Sequence, residues 1–141
     1  MAYTLQLRIV NDTPDTLTLI EQTCWWGRGT AWTRSENGHT LAMDNSGSSG
    51  MLRFRVAETG ALFAVAVGVH NYKRWCDVQG DLAGEMPLTR VHPGYYEDSD
   101  PKNKALWAQA SEASGSVGGR TVTVAFYQAE GQRLLATVTY A

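Results

Sequence analysis

From Tyr3 to Val10 the chain alternates, with Leu5, Leu7 and Ile9 on one side and Thr4, Gln6 and Arg8 on the other. A period of two marks a strand with one buried face. The same alternation recurs from Thr16 to Cys24 through Leu17 and Leu19, and from Met51 to Ala57 through Leu52, Phe54 and Val56. It returns from Arg120 to Tyr127 through Val122, Val124 and Phe126, and Arg133 to Tyr140 reads as the last strand. His39 to Met43 is short and strand-like. Between them, Cys24 to Trp32 sets three indoles around two glycines and reads as a strand, a loop and a second strand. Ala61 to Val69 is one apolar run, which predicts a buried strand.

Turn chemistry separates these runs. Asn11-Asp12-Thr13-Pro14-Asp15 is a turn cluster, and Glu58-Thr59-Gly60 reads as a hairpin turn. Asp44 to Gly50 is a loop of small polar residues, closely flanked by strands and therefore structured. From Gln79 to Pro101 the alternation is lost in a stretch rich in Gly, Asp and Pro. Asp100-Pro101 has the form of an N-cap followed by proline at the first helical position. Lys102 to Ser114 then predicts one short helix, with Leu106, Ala110 and Ala113 along one side, ended by Ser114 to Gly119. About eight to ten strands at roughly 8–12-residue spacing, with strands at both ends, predict an antiparallel sandwich. No internal repeat is present.

Composition narrows the function classes. With 141 residues, one domain spanning 1–141 is expected, long enough for a hydrophobic core. The net charge of −2 gives no basic field for nucleic acid and no cationic cluster for a membrane surface. No apolar run approaches the ~18 residues of a membrane span, and the first residues hold no signal-peptide core. A cytoplasmic protein without stable membrane insertion is therefore expected. Cys24 and Cys76 have neither metal spacing nor CxxC spacing, which predicts reduced thiols rather than a disulfide framework.

Catalytic arrangements are weakly supported. Along one strand, His70 and Cys76 would stand about 20 Å apart, too far for a thiol and its base unless the chain turns. Asp77 with Asp81 or Glu85 could pose as a glycosidase pair, though a solvated acidic loop is by far the commoner arrangement. His39, His70 and His92 lack metal-ligand spacing, and Gly27-Arg28-Gly29 is too short for a phosphate loop. No catalytic residue, metal or cofactor is expected.

Binding chemistry is better served. The apolar run delivers Gly68-Val69-His70-Asn71-Tyr72-Lys73-Arg74-Trp75-Cys76-Asp77-Val78, a dense set of polar and aromatic groups. A sugar needs fixed planar polar groups, backbone donors and an aromatic platform close together. His70 and Asn71 supply the first, and Ser46-Gly47-Ser48 can supply the second without bulk. Trp25, Trp26, Trp32, Tyr72 and Trp75 are candidate platforms, most of them better explained as packing.

That eleven-residue segment resembles the signature of the fungal fruit-body lectin family, the mushroom lectins with an actinoporin-like fold. Tyr3 to Ile9 resembles the family's first strand, and Ser46 to Phe54 its serine-glycine loop and next strand. Tyr95-Tyr96 sits where the family has a tyrosine pair, and Ala129-Glu130-Gly131 matches its late hairpin. The resemblance covers nearly the whole chain. It implies an actinoporin-like antiparallel β-sandwich of two sheets with a helical connection. It also implies a non-catalytic lectin for galactosyl-β1,3-N-acetylgalactosamine, the T antigen, and for related N-acetylgalactosamine glycans, assembled as a homo-oligomer, dimer or tetramer. Because the fold resembles that of pore formers, a membrane-permeabilising protein is the alternative.

Carried over by position, the primary sugar site falls on Ser46, Gly47, His70 and Asn71. A backbone contact falls near Gly27, where Arg28 is a charged newcomer. The family's second site, for N-acetylglucosamine, transfers poorly. Asp77 and Val78 match it, but Gly80, Pro101 and Glu112 replace three of its contributors. Binding there is expected to be absent or much weakened.

Overall fold

The computed structural model describes residues 1–25, 29–80 and 86–141. Among the described residues ten strands form two sheets. They are β1 (Tyr3–Asn11), β2 (Leu17–Trp25), β3 (Ala31–Ser35), β4 (Gly38–Met43), β5 (Ser49–Val56), β6 (Leu62–His70), β7 (Lys73–Gln79), β8 (Glu112–Val117), β9 (Arg120–Gln128) and β10 (Arg133–Tyr140). One sheet has the order β3-β4-β1-β10-β9-β8, the other β2-β5-β6-β7.

Among the described residues all strand pairings are antiparallel except one. β1 lies parallel to β10, from Thr4 opposite Arg133 to Asn11 opposite Tyr140. Two strands so far apart in sequence need no hairpin to meet, so either direction is open to them. β1 is also paired along its other edge with β4. A permeabilising mechanism that frees the first segment would have to break both ladders. Among the described residues no helix is long and apolar enough to cross a membrane.

The alternating positions meet between the sheets. Leu5, Leu7, Leu41, Leu52, Phe54, Val65, Val122, Val124 and Val138 belong to one buried cluster. Within it Phe63 stacks between Phe54 and Tyr140, with ring centroids 5.3 and 5.8 Å away. Truncating one such side chain to alanine typically costs about 2–5 kcal/mol.

A second cluster explains why the Ala61–Val69 run does not alternate. Met51, Ala64, Ala66 and Trp75 lie on the other face of the smaller sheet, under Leu88, Val91, Tyr95 and Leu106. β5 and β6 are thus covered on both faces, which demands apolar residues at successive positions. The cover is the helical connection: α1 (Leu88–Val91), a 3-10 turn (His92–Tyr96) and α2 (Asn103–Ala108). Glu21 anchors it, accepting the Leu88 N–H at 2.8 Å on one oxygen and pairing with Arg53 at 2.9 Å on the other.

The predicted helix over 102–114 is shorter than expected. It also begins later than Asp100-Pro101 predicts: Lys102 is the N-cap and makes no side-chain cap, while the Asp100 carboxylate accepts the Lys102 N–H at 2.9 Å in the turn before the helix. The helix stops at Gln109, which adopts a left-handed conformation with φ 49°. Residues 112–117 then leave for the sheet, pairing as β8 with β9. Edge pairing overrides the modest helical preference of Glu112-Ala113-Ser114.

The chain turns inside the Gly68–Val78 segment, beyond the predicted Ala61–Val69 strand. The segment is a hairpin: β6 ends at His70, and β7 begins opposite it at Lys73. Asn71 and Tyr72 form the turn with φ of 50° and 66°. Two successive left-handed residues are what a tight type I′ hairpin requires. Asn favours this conformation, but Tyr rarely adopts it, so the residue types conceal the turn.

Candidate functional site

Two segments that are distant in sequence meet at the β6–β7 turn. The loop after β4 carries Ser46 and Gly47, and the turn carries His70, Asn71 and Tyr72. Backbone bonds lock them together: Gly47 N–H donates to Val69 O at 2.8 Å, and Val69 N–H donates to Ser48 O at 3.0 Å. The contact is so close that a Cβ on Gly68 would fall 2.5 Å from Ser49 Cβ. Gly47 itself sits at φ 95°, where a side chain would be strained. Ser46 Oγ accepts the Tyr72 N–H at 2.9 Å, which leaves its own proton free to donate.

The result is a shallow depression of about 410 Å³ lined by Ser46, Gly47, His70, Asn71, Tyr72 and Trp107. The four residues expected at the primary site that lie in the described part of the chain therefore line one depression. Gly27 and Arg28 lie outside the described residues. Trp107 was not among the sequence candidates, although an indole off the Leu106 stripe of a short helix was the available signal. It is 59% exposed, and its ring meets the His70 imidazole edge-on, with centroids 4.5 Å apart at 82°. Gln109, at the end of the same helix, donates to His70 O at 2.7 Å and so fastens α2 to the hairpin.

Burial lowers the His70 pKa, so at neutral pH the ring is uncharged, with one donor and one acceptor nitrogen. Its Nε2 is buried without a hydrogen-bond partner among the described residues. Leaving such an atom unpaired costs about 1–3 kcal/mol.

Behind the Ser46-Gly47 loop runs a buried polar chain. Thr23 Oγ1 lies 2.7 Å from His92 Nδ1, Ser49 Oγ lies 2.8 Å from His92 Nε2 and 2.7 Å from the Tyr96 hydroxyl, and Tyr96 donates to Gly47 O at 3.4 Å. One proton order satisfies every link. Thr23 donates to Nδ1, Nε2–H donates to Ser49, Ser49 donates to Tyr96, and Tyr96 donates to Gly47. Burial holds His92 neutral, its pKa pushed down to about 4. Trp25 closes the network, stacked on Tyr96 at 4.6 Å.

The remaining aromatic candidates are spoken for. Trp75 is fully buried against Tyr95, and Trp32 donates its indole N–H to Thr23 O. Trp26 lies outside the described residues. Tyr72, 73% exposed, keeps a place at the depression.

Asp77 and Val78 lie elsewhere, on β7. Asp77 Oδ2 accepts the Tyr95 hydroxyl at 2.7 Å and the Gln79 amide at 2.8 Å. Val78 is packed in the inter-sheet core. A Cβ on Gly80 would fall 2.3 Å from Ser116 O, so that position admits no side chain. The Asp81 and Glu85 carboxylates lie outside the described residues.

Cys76 does not serve as a nucleophile. Its thiol donates to Ala110 O at 3.6 Å, and burial, followed by the nearby Asp77 charge, pushes its pKa up to about 12. Its strand partner is Val67 rather than His70. Among the described residues no group of His, Cys, Asp and Glu is placed to hold a metal.

Comparison with known proteins agrees with this architecture. A family model described as fungal fruit body lectin matches residues 1–138. The chain is 37% identical to Boletus edulis lectin over 144 aligned positions, covering 99% of each chain. Crystal structures of Xerocomus chrysenteron lectin XCL superpose with a TM-score of 0.91. The wild-type form is 34% identical and covers 100% of both chains, and a methionine-substituted form is 35% identical. The lipid-binding protein Nakanori, 13% identical at a TM-score of 0.55 over 99% of this chain and 71% of its own, shares the fold alone. Sequence and structure together place the chain in the fungal fruit body lectin family, as a non-catalytic carbohydrate-binding lectin.

Proposed function

We propose that the depression at the β6–β7 turn binds galactosyl-β1,3-N-acetylgalactosamine and related N-acetylgalactosamine-bearing glycans. Asn71 and His70 fix hydroxyls of the N-acetylgalactosamine unit. Ser46 and Gly47 add a hydroxyl and backbone groups from the opposite loop. Trp107 and Tyr72 offer faces to the C–H side of the sugar.

The convergence of two segments distant in sequence, Ser46-Gly47 and His70-Asn71, on one depression carries the reading. Each sugar hydrogen bond is worth only about 0.5–1.5 kcal/mol net, because water is given up to form it. One site is therefore weak. Several sites on a closed homo-oligomer, dimer or tetramer, can multiply affinity for a multivalent glycan by roughly 10² to 10⁴.

A glycan array run with and without free disaccharide tests the proposal. Signals on galactose- and N-acetylgalactosamine-terminated glycans should vanish with the competitor. Strong binding that the disaccharide leaves untouched would reject this specificity.

A further inference from the structure

A second cleft, of about 330 Å³, opens at the end of the sandwich beside the depression, and nothing in the proposed function uses it. Its buried walls include Val69 and Leu134, and its outer lining includes Tyr72, Lys73 and Glu130, with the half-buried Arg74 between them. Tyr72 lines both cavities and is the partition between them. Lys73 is the cross-strand partner of His70, so their Cα atoms stand about 5 Å apart. The two cavities are thus successive stations along one hairpin.

The charge in this cleft is out of balance. Lys73 and Arg74 contribute two cations against the single carboxylate of Glu130, while the whole chain carries −2. Arg74 spends one nitrogen on Gln109 O at 2.7 Å, and its Nε is buried without a partner. Among the described residues neither cation is in an ion pair. A partly desolvated guanidinium that forms no ion pair is a receptor for an oxyanion.

We propose that this cleft is a subsite for an anionic group, a sugar carboxylate or a sulfate ester, carried by the glycan bound against Trp107. The inference rests on the glycan reading above. The anion lies beside Lys73 and Arg74, its sugar ring crosses Tyr72, and the neutral part of the glycan stays with His70 and Asn71. Glu130 opposes the anion and limits how strongly acidic glycans are preferred.

The test uses the full chain and three titrants. These are the neutral disaccharide, the same disaccharide sulfated at its galactose, and an analogue with the galactose oxidised to galacturonate. At low salt one or both anionic forms should bind about five- to tenfold more tightly than the neutral one, and high salt should shrink that advantage. The two anionic arms tell sulfate from carboxylate. Lys73→Gln should cut the advantage several-fold, and Glu130→Gln should raise it. Both residues are exposed, so neither change threatens the fold, and neither should alter affinity for the neutral disaccharide. Binding of the neutral form with no anionic advantage would overturn the subsite alone. So would an advantage indifferent to both substitutions. Failure of the neutral disaccharide to bind at all would reject the glycan reading and the subsite with it.

Discussion

The indole of Trp107 stands edge-on to the imidazole of His70, with ring centroids 4.5 Å apart. The helical connection thereby supplies one wall of a depression whose other walls come from the sheet. Because Trp107 is largely exposed, removing it should affect ligand more than fold. Trp107→Ala should weaken disaccharide binding about tenfold, equivalent to about 1.4 kcal/mol of lost contact. The melting temperature should stay close to that of the parent. Calorimetric titration beside a thermal melt reads both quantities, and unchanged affinity would remove Trp107 from the site.

Asn71 serves the turn with its backbone and the proposed site with its amide, and two substitutions separate these roles. Asn71→Gly keeps the left-handed turn and deletes the amide, so binding should be lost while stability changes little. Asn71→Ala deletes the amide and also strains the turn at φ 50°, adding an unfolding penalty of about 1–2 kcal/mol. Denaturant unfolding of the two variants should differ in this direction, and both should fail to bind.

His92 makes stability depend on acid. Its folded pKa is depressed to about 4, from an ordinary value of 6.5, so folding disfavours the protonated ring. The associated stability is fully present above about pH 6.5 and is lost as pH falls toward 4, by about 3 kcal/mol in all. His39 and His70 are also lowered by burial and act in the same direction. His92→Gln should lower stability at neutral pH and flatten the decline between pH 6.5 and 4, as read from unfolding curves at each pH. The His92 chain ends on Gly47 O and the folded ring protonates only near pH 4, so glycan affinity should hold from pH 6.5 downward and decline only as pH approaches 4.

At Asp77, one carboxylate oxygen is already taken by Tyr95 and Gln79, and Gly80 offers no side chain. Free N-acetylglucosamine should therefore neither bind measurably nor compete with the disaccharide. Saturation-transfer NMR with this sugar checks the point.

Much of this fold is legible in the amino-acid sequence. Period-two alternation marks strands such as β1, β5 and β9, because one face of each meets the core. The four candidate residues could be singled out because they sit in two contiguous motifs, Ser46-Gly47 and His70-Asn71, and these line one depression. The turn at Asn71-Tyr72 was hidden because tyrosine is a poor indicator of left-handed backbone. β8 was hidden because Glu112-Ala113-Ser114 prefers a helix until β9 offers its edge. Trp107 could not be assigned to the site from sequence, since its neighbour His70 lies 37 positions away and only the docking of α2 brings them together.

The central claim is that glycan binds where these two segments meet. Titrating isotope-labelled protein with the disaccharide and following its NMR spectrum tests this directly. The first and largest shifts should fall on the Trp107 indole, the His70 ring and the backbone amides of Gly47 and Asn71. Shifts that bypass these and gather around Asp77, or in the cleft lined by Arg34 and Phe54 at the other end of the sandwich, would contradict it.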